Sequence, residues 1–302
     1  MVEGVGASGI SPMQKVWIEA ALNGPWTRKR QPGIPDTVAA IVAEGIACAA
    51  AGACIIHVHA YDGGGSQTFD WQIYARIIEG IRAKVDVPVY PSLPTAGIGT
   101  GPLPNEAAER FAHVEALAAR GLLEFAAIDP GSVNFTELAT GRDTPAAPTY
   151  LNPESHIRYA LGFAVRYGFH PAYAIYEPGF TRSGAALARA MGTKTPIYRL
   201  MFSETFAYGF PPKPYGLDAH LALLAEGAPG APWMIAGLGV DIRPLIPETI
   251  RRAGHIRVGL EDAPFGTRAS NVQLVKEAAR LIRSNAAEPA TVGEMRAALA
   301  RI

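Results

Sequence analysis

The chain has 302 residues, 49% of them apolar, and its 27 Lys+Arg balance 27 Asp+Glu to a formal net charge of zero. There is no basic excess to pair with nucleic-acid phosphates or anionic lipid, and the apolar content excludes a disordered chain. Two cysteines, Cys48 and Cys54, are too few for a disulfide framework or a structural zinc site and fit a reducing cytoplasm.

Residues 1–14 lack a charged region followed by an apolar one, so they read as a flexible tail and not as a signal peptide. No apolar run reaches the ~18 residues of a membrane span. Lys15–Leu22 then reads as a strand and Thr37–Ala51 as a helix, with Asp36 or Thr37 as N-cap and Gly52 as its stop. Strand Cys54–Ala60 precedes helix Asp70–Val85, strand Val87–Leu93 precedes helix Asn105–Arg120, and strand Leu123–Ile128 precedes helix Pro153–Tyr167. Strand Pro171–Glu177 leads to helix Arg182–Met191, Ile197–Ser203 to Leu217–Glu226, Trp233–Leu238 to Pro244–Ala253, and His255–Glu261 to Asn271–Asn285. Val292–Arg301 is a last short helix. Eight strand–helix units without a linker imply parallel pairing and a single-domain α/β fold, a (β/α)8 TIM barrel over residues 15–302. An open doubly wound sheet is the competing arrangement. The Gly- and Pro-rich stretches Gly99–Pro104 and Tyr208–Gly216 each follow a strand and read as loops on one face.

A barrel carries its chemistry at the C-terminal ends of its strands. The second strand ends Ile55-Ile56-His57-Val58-His59, and period-two alternation puts both histidines on the inner face. The eighth reads His255-Ile256-Arg257-Val258-Gly259-Leu260-Glu261-Asp262, which puts Arg257, Gly259 and Glu261 on the inner face and Asp262 just past the end. Closure leaves one strand between the two sets, ~10 Å between strand axes. Two imidazoles and a carboxylate make an open zinc site; Mn²⁺ suits two histidines less well. An isolated HxH on a strand is more often structural, but its position at a strand end, matched by an acidic strand end, favours the metal. His113, His156 and His220 fall on helices, and His170 and His255 begin strands, away from the site. Arg257 and Asp262 are open to two readings, a plain salt bridge or a catalytic pair.

Gly4-Val5-Gly6-Ala7-Ser8-Gly9 matches GxGxxG, but no strand precedes it and no helix follows, so it is set aside. Gly97-Ile98-Gly99-Thr100-Gly101 reads equally as a flexible loop or as a close approach to a ligand. An amidohydrolase arrangement needs histidines ending strands five and six, where Tyr176-Glu177 and Ser203-Glu204 stand.

The run Ala51-Gly52-Ala53-Cys54-Ile55-Ile56-His57-Val58-His59 resembles the AGAxxxHxH signature of the beta-keto acid cleavage enzymes, and Gly254–Asp262 resembles their GHxRVGxED signature. Ala20–Gly24, Pro32–Pro35, Pro91-Ser92, Asn134-Phe135, Pro178-Gly179 and Ala236–Gly239 follow in family order, so the resemblance spans about residues 15–300. It implies a zinc-dependent (β/α)8 barrel, a homotetramer, that converts a β-keto acid and acetyl-CoA into acetoacetate and a new acyl-CoA. It implies His57, His59 and Glu261 as zinc ligands, Asp262 oriented by Arg257 as base, and Ser92 on the substrate carboxylate. A Lewis acid at the keto oxygen and an ionised carboxylate at the α-proton suit this chemistry. Competing functions are another metal-dependent carbon–carbon lyase needing no CoA, and a non-catalytic metal-binding relative.

Several positions depart from the family pattern. Tyr61 stands where an Arg is common, Ser92-Leu93-Pro94-Thr95 where the family has Ser-Thr-Gly-Gly, Ala127 where a Thr aids carboxylate binding, and Val240-Asp241 where an Arg is common. Trp26 occupies the place of a Glu that pairs with a substrate ammonium. The substrate-facing set is thus Ser92, Trp26, Tyr61 and Thr95. A neutral indole cannot pair with an amine but can bury an apolar tail, so an uncharged, fairly hydrophobic β-keto acid is expected. Arg28, Lys29 and Arg30 read as a solvated loop face, or alternatively as a site for an anionic tail or the CoA phosphates.

Overall fold

Eight short apolar, β-branched runs form one parallel sheet in the computed structural model of the chain, whose described residues are 13–94 and 104–302. The strands are β1 (Ile18–Ala21), β2 (Ile55–Val58), β3 (Val89–Pro91), β4 (Phe125–Ala127), β5 (His170–Ile175), β6 (Ile197–Phe202), β7 (Trp233–Gly237) and β8 (His255–Val258). Their order is β3-β2-β1-β8-β7-β6-β5-β4: each strand lies beside its neighbour in sequence, except where the first strand pairs with the last. The end strands β3 and β4 lie side by side without a ladder, so the sheet curls into a nearly closed barrel. A doubly wound sheet would reverse its strand order partway, and this one does not.

The helices form the outer ring: α1 (Val38–Ala50), α2 (Trp71–Arg82), α3 (Ala107–Ala118), α4 (Glu154–Tyr167), α5 (Pro178–Met191), α6 (Pro214–Gly227), α7 (Ile246–Arg251) and α8 (Asn271–Ser284), followed by α9 (Val292–Leu299). Thr37, not Asp36, caps α1, its hydroxyl accepting the Ala40 N–H, while Asp36 pairs with Arg28. α5 and α6 each start earlier than the apolar periodicity suggests, because Pro178 and Pro214 bring the φ that a first turn needs. The seventh helix is shorter, with a 3₁₀ turn, Arg243–Leu245, ahead of it.

All eight barrel strands are shorter than expected, and two of them for reasons that bear on the site. The first is broken at Trp17: Lys15–Val16 pairs with Glu288–Pro289 below the barrel, and the indole of Trp17 stacks on His255 at 4.0 Å. The eighth was expected to run to Glu261 but stops at Val258. Gly259 has φ +152°, and a Cβ there would lie 1.9 Å from the Ala21 carbonyl oxygen, so only glycine lets the chain turn across the top of β1. The tail, the Gly4–Gly9 motif, the Gly97–Gly101 loop and Thr95 fall wholly or mostly outside the described residues. Among the described residues no helix is long and apolar enough to cross a membrane.

Candidate metal centre and active site

Parallel register sets which side chains share the barrel interior. Glu19 stands opposite both Arg257 and Ile55, Ala21 opposite His57, and His57 opposite Tyr90, so all of these face inward. His59 follows two residues on, at the rim. Asn23 ties the ends of β1 and β2 together, its amide donating to His59 O and its oxygen accepting the His59 N–H, both at 2.9 Å. The turn begun at Gly259 swings Glu261 over the same rim. It is held there by Trp26, whose indole N–H donates to Glu261 O at 2.8 Å, and by Gln31, which donates to Leu260 O at 3.0 Å. Glu261 therefore reaches the inner face through a turn and not through strand alternation. A side chain at Gly24 would meet its Cγ at 2.7 Å.

The ligand atoms of His57, His59 and Glu261 lie within 4.8 Å of one another. Nε2 of His57 is 3.4 Å from one Glu261 oxygen, and Nε2 of His59 is 3.4 Å from the other. Burial holds the His57 imidazole well below its ordinary value, so it is neutral. Burial pushes the Glu261 carboxyl up, but Arg257, His57 and His59 outweigh this and keep it well below the carboxylate range. A neutral imidazole and an ionised carboxylate are what a metal requires of its ligands.

Three further observations fit a divalent cation. One Glu261 oxygen is buried with no hydrogen-bond partner. Gln67 lies on the short strand Gln67–Thr68, paired back on Ala60–Tyr61, and its amide is 2.7 Å from His59 Nδ1. With the amide turned so that its otherwise unpartnered oxygen accepts the Nδ1–H, Nε2 presents a bare lone pair to the site. Finally, four carboxylates (Glu19, Asp129, Glu261 and Asp262) meet two guanidiniums (Arg199 and Arg257) in one buried cluster, a formal deficit of two charges that a dication cancels.

Arg257 is the hub of that cluster. It grips Asp262 with Nε and Nη2 at 2.8 and 2.9 Å, Glu261 with Nη2 at 2.8 Å, and Glu19 with Nη1 at 3.0 Å. Burial raises the Asp262 carboxyl to about 6 against the pull of Arg257. A cavity opens over the cluster, lined by His57, His59, Glu261, Arg257, Ser92 and Trp26 together with apolar and aromatic side chains. Asp262 is not on that wall; it lies behind Arg257 and borders a second pocket between β7, β8 and α8.

The other expected residues separate clearly. Ser92 lines the cavity, its hydroxyl 3.5 Å from Leu93 O, while its carbonyl accepts from His113 at 2.9 Å. Trp26 and Ala127 also line it. Tyr61 does not; its hydroxyl lies between the carbonyls of Gly24 and Trp26 and braces the loop that carries Trp26. Val240 and Asp241 belong to the second pocket, where Asp241 pairs with Arg243. Arg30 pairs with Glu137 and lies over the rings of Trp26, Phe206 and Phe265, so it braces the rim.

Sequence reasoning missed Glu19, Tyr90, Asp129, Tyr150 and Arg199. Tyr90 donates to Glu19 at 2.6 Å and accepts from Arg199 at 2.8 Å; Tyr150 donates to Asp129 at 2.6 Å. The signal was present: an acid inside Val16–Leu22 and an arginine inside Ile197–Phe202 break otherwise apolar strands, and a buried charge persists only when paired.

The family model described as beta-keto acid cleavage enzyme matches residues 15–300. A 3-keto-5-aminohexanoate cleavage enzyme of Fusobacterium nucleatum subsp. nucleatum is 28% identical over 291 residues, covering 94% of this chain and 97% of that protein. A 3-oxoadipate:acetyl-CoA acetyltransferase of Cupriavidus necator is 27% identical over 294 residues, covering 93% of each. Among solved structures, apo ObcA superposes with a TM-score of 0.69 at 15% identity, covering 89% of this chain and 66% of that one, which bears on the fold alone.

Proposed function

The chain belongs to the beta-keto acid cleavage enzyme family, and we propose that it is a zinc-dependent acyltransferase that cleaves an uncharged, fairly hydrophobic β-keto acid with acetyl-CoA. The acyl half of the keto acid passes to the CoA sulfur, and its CH2–carboxylate half joins the acetyl group as acetoacetate, so no further reactant is needed. The observation that carries this reading is the convergence of His57, His59 and Glu261 on one cavity rim. They would hold the zinc, which when bound supplies Lewis-acid polarisation of the keto oxygen.

Asp262 is the base in this reading: it borders the second pocket and not the cavity, so releasing one of its two Arg257 bonds must let its carboxylate swing toward the carbon between the keto and carboxylate groups to take the proton. Arg257 steadies Asp262 and Glu261 together, which keeps base and metal ligand in fixed relation. Ser92 offers its weakly engaged hydroxyl to the substrate carboxylate. The tail meets Trp26, Phe135, Tyr176, Met201 and Leu238, a wall that favours apolar or aromatic groups. Asp129, which lines the same cavity, already accepts from Tyr150 and the Ala174 N–H and faces Arg199 at 3.6 Å, so it is no partner for an amine. The test is a panel of β-keto acids with and without acetyl-CoA, following acetoacetate. CoA-independent cleavage, or a cationic keto acid as best substrate, would refute the proposal.

A further inference from the structure

A β-keto acid brings its own carboxylate into a cavity whose wall already carries Glu261 and Asp129, and Ser92 is only a neutral hydroxyl. Burying that charge without a cationic partner is unfavourable. Two guanidiniums line the cavity. Arg257 gives three hydrogen bonds to Asp262 and Glu19 and lies 2.8 Å from a Glu261 oxygen, so three carboxylates in direct contact already occupy its fork. Arg199, on β6, is differently placed. Its three hydrogen bonds all go to neutral acceptors: Tyr90 Oη and Ala172 O at 2.8 Å, and Tyr173 O at 3.3 Å. The acids nearest to it, Asp129 and Glu19, stay at 3.6 and 3.8 Å, beyond hydrogen-bond reach. One N–H on each terminal nitrogen is therefore left without a bond. Space is provided beside it, since Ala174 is its register partner on β5 and Ala127 lines the same cavity.

We propose that Arg199 is the receptor for the carboxylate of the β-keto acid, an inference that rests on the reading above. A planar fork with one free N–H on each arm matches a carboxylate in two-point fashion, and a third bond comes from Ser92. Tyr90 and the two backbone carbonyls keep the fork from turning, so the site is formed before substrate arrives. The keto group is thereby presented to the metal ligands and the carboxylate to Arg199, which fixes the direction in which the tail leaves.

The test is calorimetric binding of acetoacetate and of its neutral isostere acetoacetamide to the zinc-loaded protein. Wild type should prefer the anion by about 10–100-fold, the range of a charge-assisted pair. Arg199→Gln should lose most of that preference while zinc content and the KM for acetyl-CoA stay unchanged, and Arg199→Lys should keep part of it. Where Arg199→Gln does not fold, the double variant Arg199→Gln/Asp129→Asn removes a charge and its counter-charge together and answers the same question. A merely structural arginine would alter folding without changing the ratio of the two affinities. Wild-type preference retained in the folded Gln variant overturns the assignment alone. Failure of wild type to bind acetoacetate at all overturns the β-keto acid reading with it.

Discussion

His59→Ala and Gln67→Leu probe the metal centre at two depths. The first removes one of three ligands, the second only the side chain 2.7 Å from His59 Nδ1. Zinc at a hundred times its dissociation constant stabilises a folded protein by about 2.7 kcal/mol. For 302 residues, at an unfolding entropy of about 2.1 cal/mol/K per residue, 1 kcal/mol moves the midpoint by about 1.6 °C, so zinc should raise the Tm of chelator-stripped wild type by about 4 °C. His59→Ala should abolish that rise and leave elemental zinc near zero after dialysis. Gln67→Leu frees the imidazole to turn, and loss of such an orienting bond weakens metal binding about 10–100-fold. At the same zinc concentration the rise should shrink to about 1–2 °C. Differential scanning calorimetry with and without zinc, alongside elemental analysis, reads all three proteins. A full zinc complement in His59→Ala would refute the ligand set. A wild-type response in Gln67→Leu would refute the argument that this bond presents the Nε2 lone pair.

Asp262→Asn should retain zinc but slow deuterium exchange at the substrate α-carbon by about 10²–10⁴-fold, because an amide cannot accept the proton; near-normal exchange would reduce Asp262 and Arg257 to a salt bridge. Trp26→Ala should lower kcat/KM for a neutral, apolar-tailed keto acid about tenfold more than for a short one, over a common loss from the missing bond to Glu261 O, and an unchanged ranking of neutral, cationic and anionic keto acids would exclude the indole from tail recognition. Burial holds His113 and His220 at about 4, whereas unfolded histidine titrates near 6.5. The unfolded chain then binds the extra protons, so stability is complete above about pH 6.5 and falls as pH drops toward 4, by about 2 kcal/mol per histidine at pH 5. Urea midpoints measured between pH 7.5 and 5 check this, and a flat profile contradicts it.

The strand–helix rhythm, the inward face shared by His57 and His59, and the pairing of Arg257 with Asp262 were all legible from residue order. Each depends on a local periodicity or a short separation. The helix starts at Pro178 and Pro214 were readable too, from the residue type alone. Glu261 was placed on the right face for an incomplete reason. Alternation along β8 ends at Val258, and what carries Glu261 to the rim is a glycine turn over Ala21, braced by Trp26 and Gln31 from another loop.

Only closure of the barrel decided the rest. Tyr61 looks substrate-facing from its distance to His59, yet it braces the loop of Trp26, since its orientation follows the antiparallel return at Gln67–Thr68. Glu19, Tyr90 and Arg199 sit on β1, β3 and β6 and Asp129 just past the end of β4, separated by up to 180 residues, and none shares a motif with the others. A one-dimensional pattern specifies which face each strand presents. It does not specify which residues meet across an enclosed interior, because those distances are set by register and curvature summed around all eight strands.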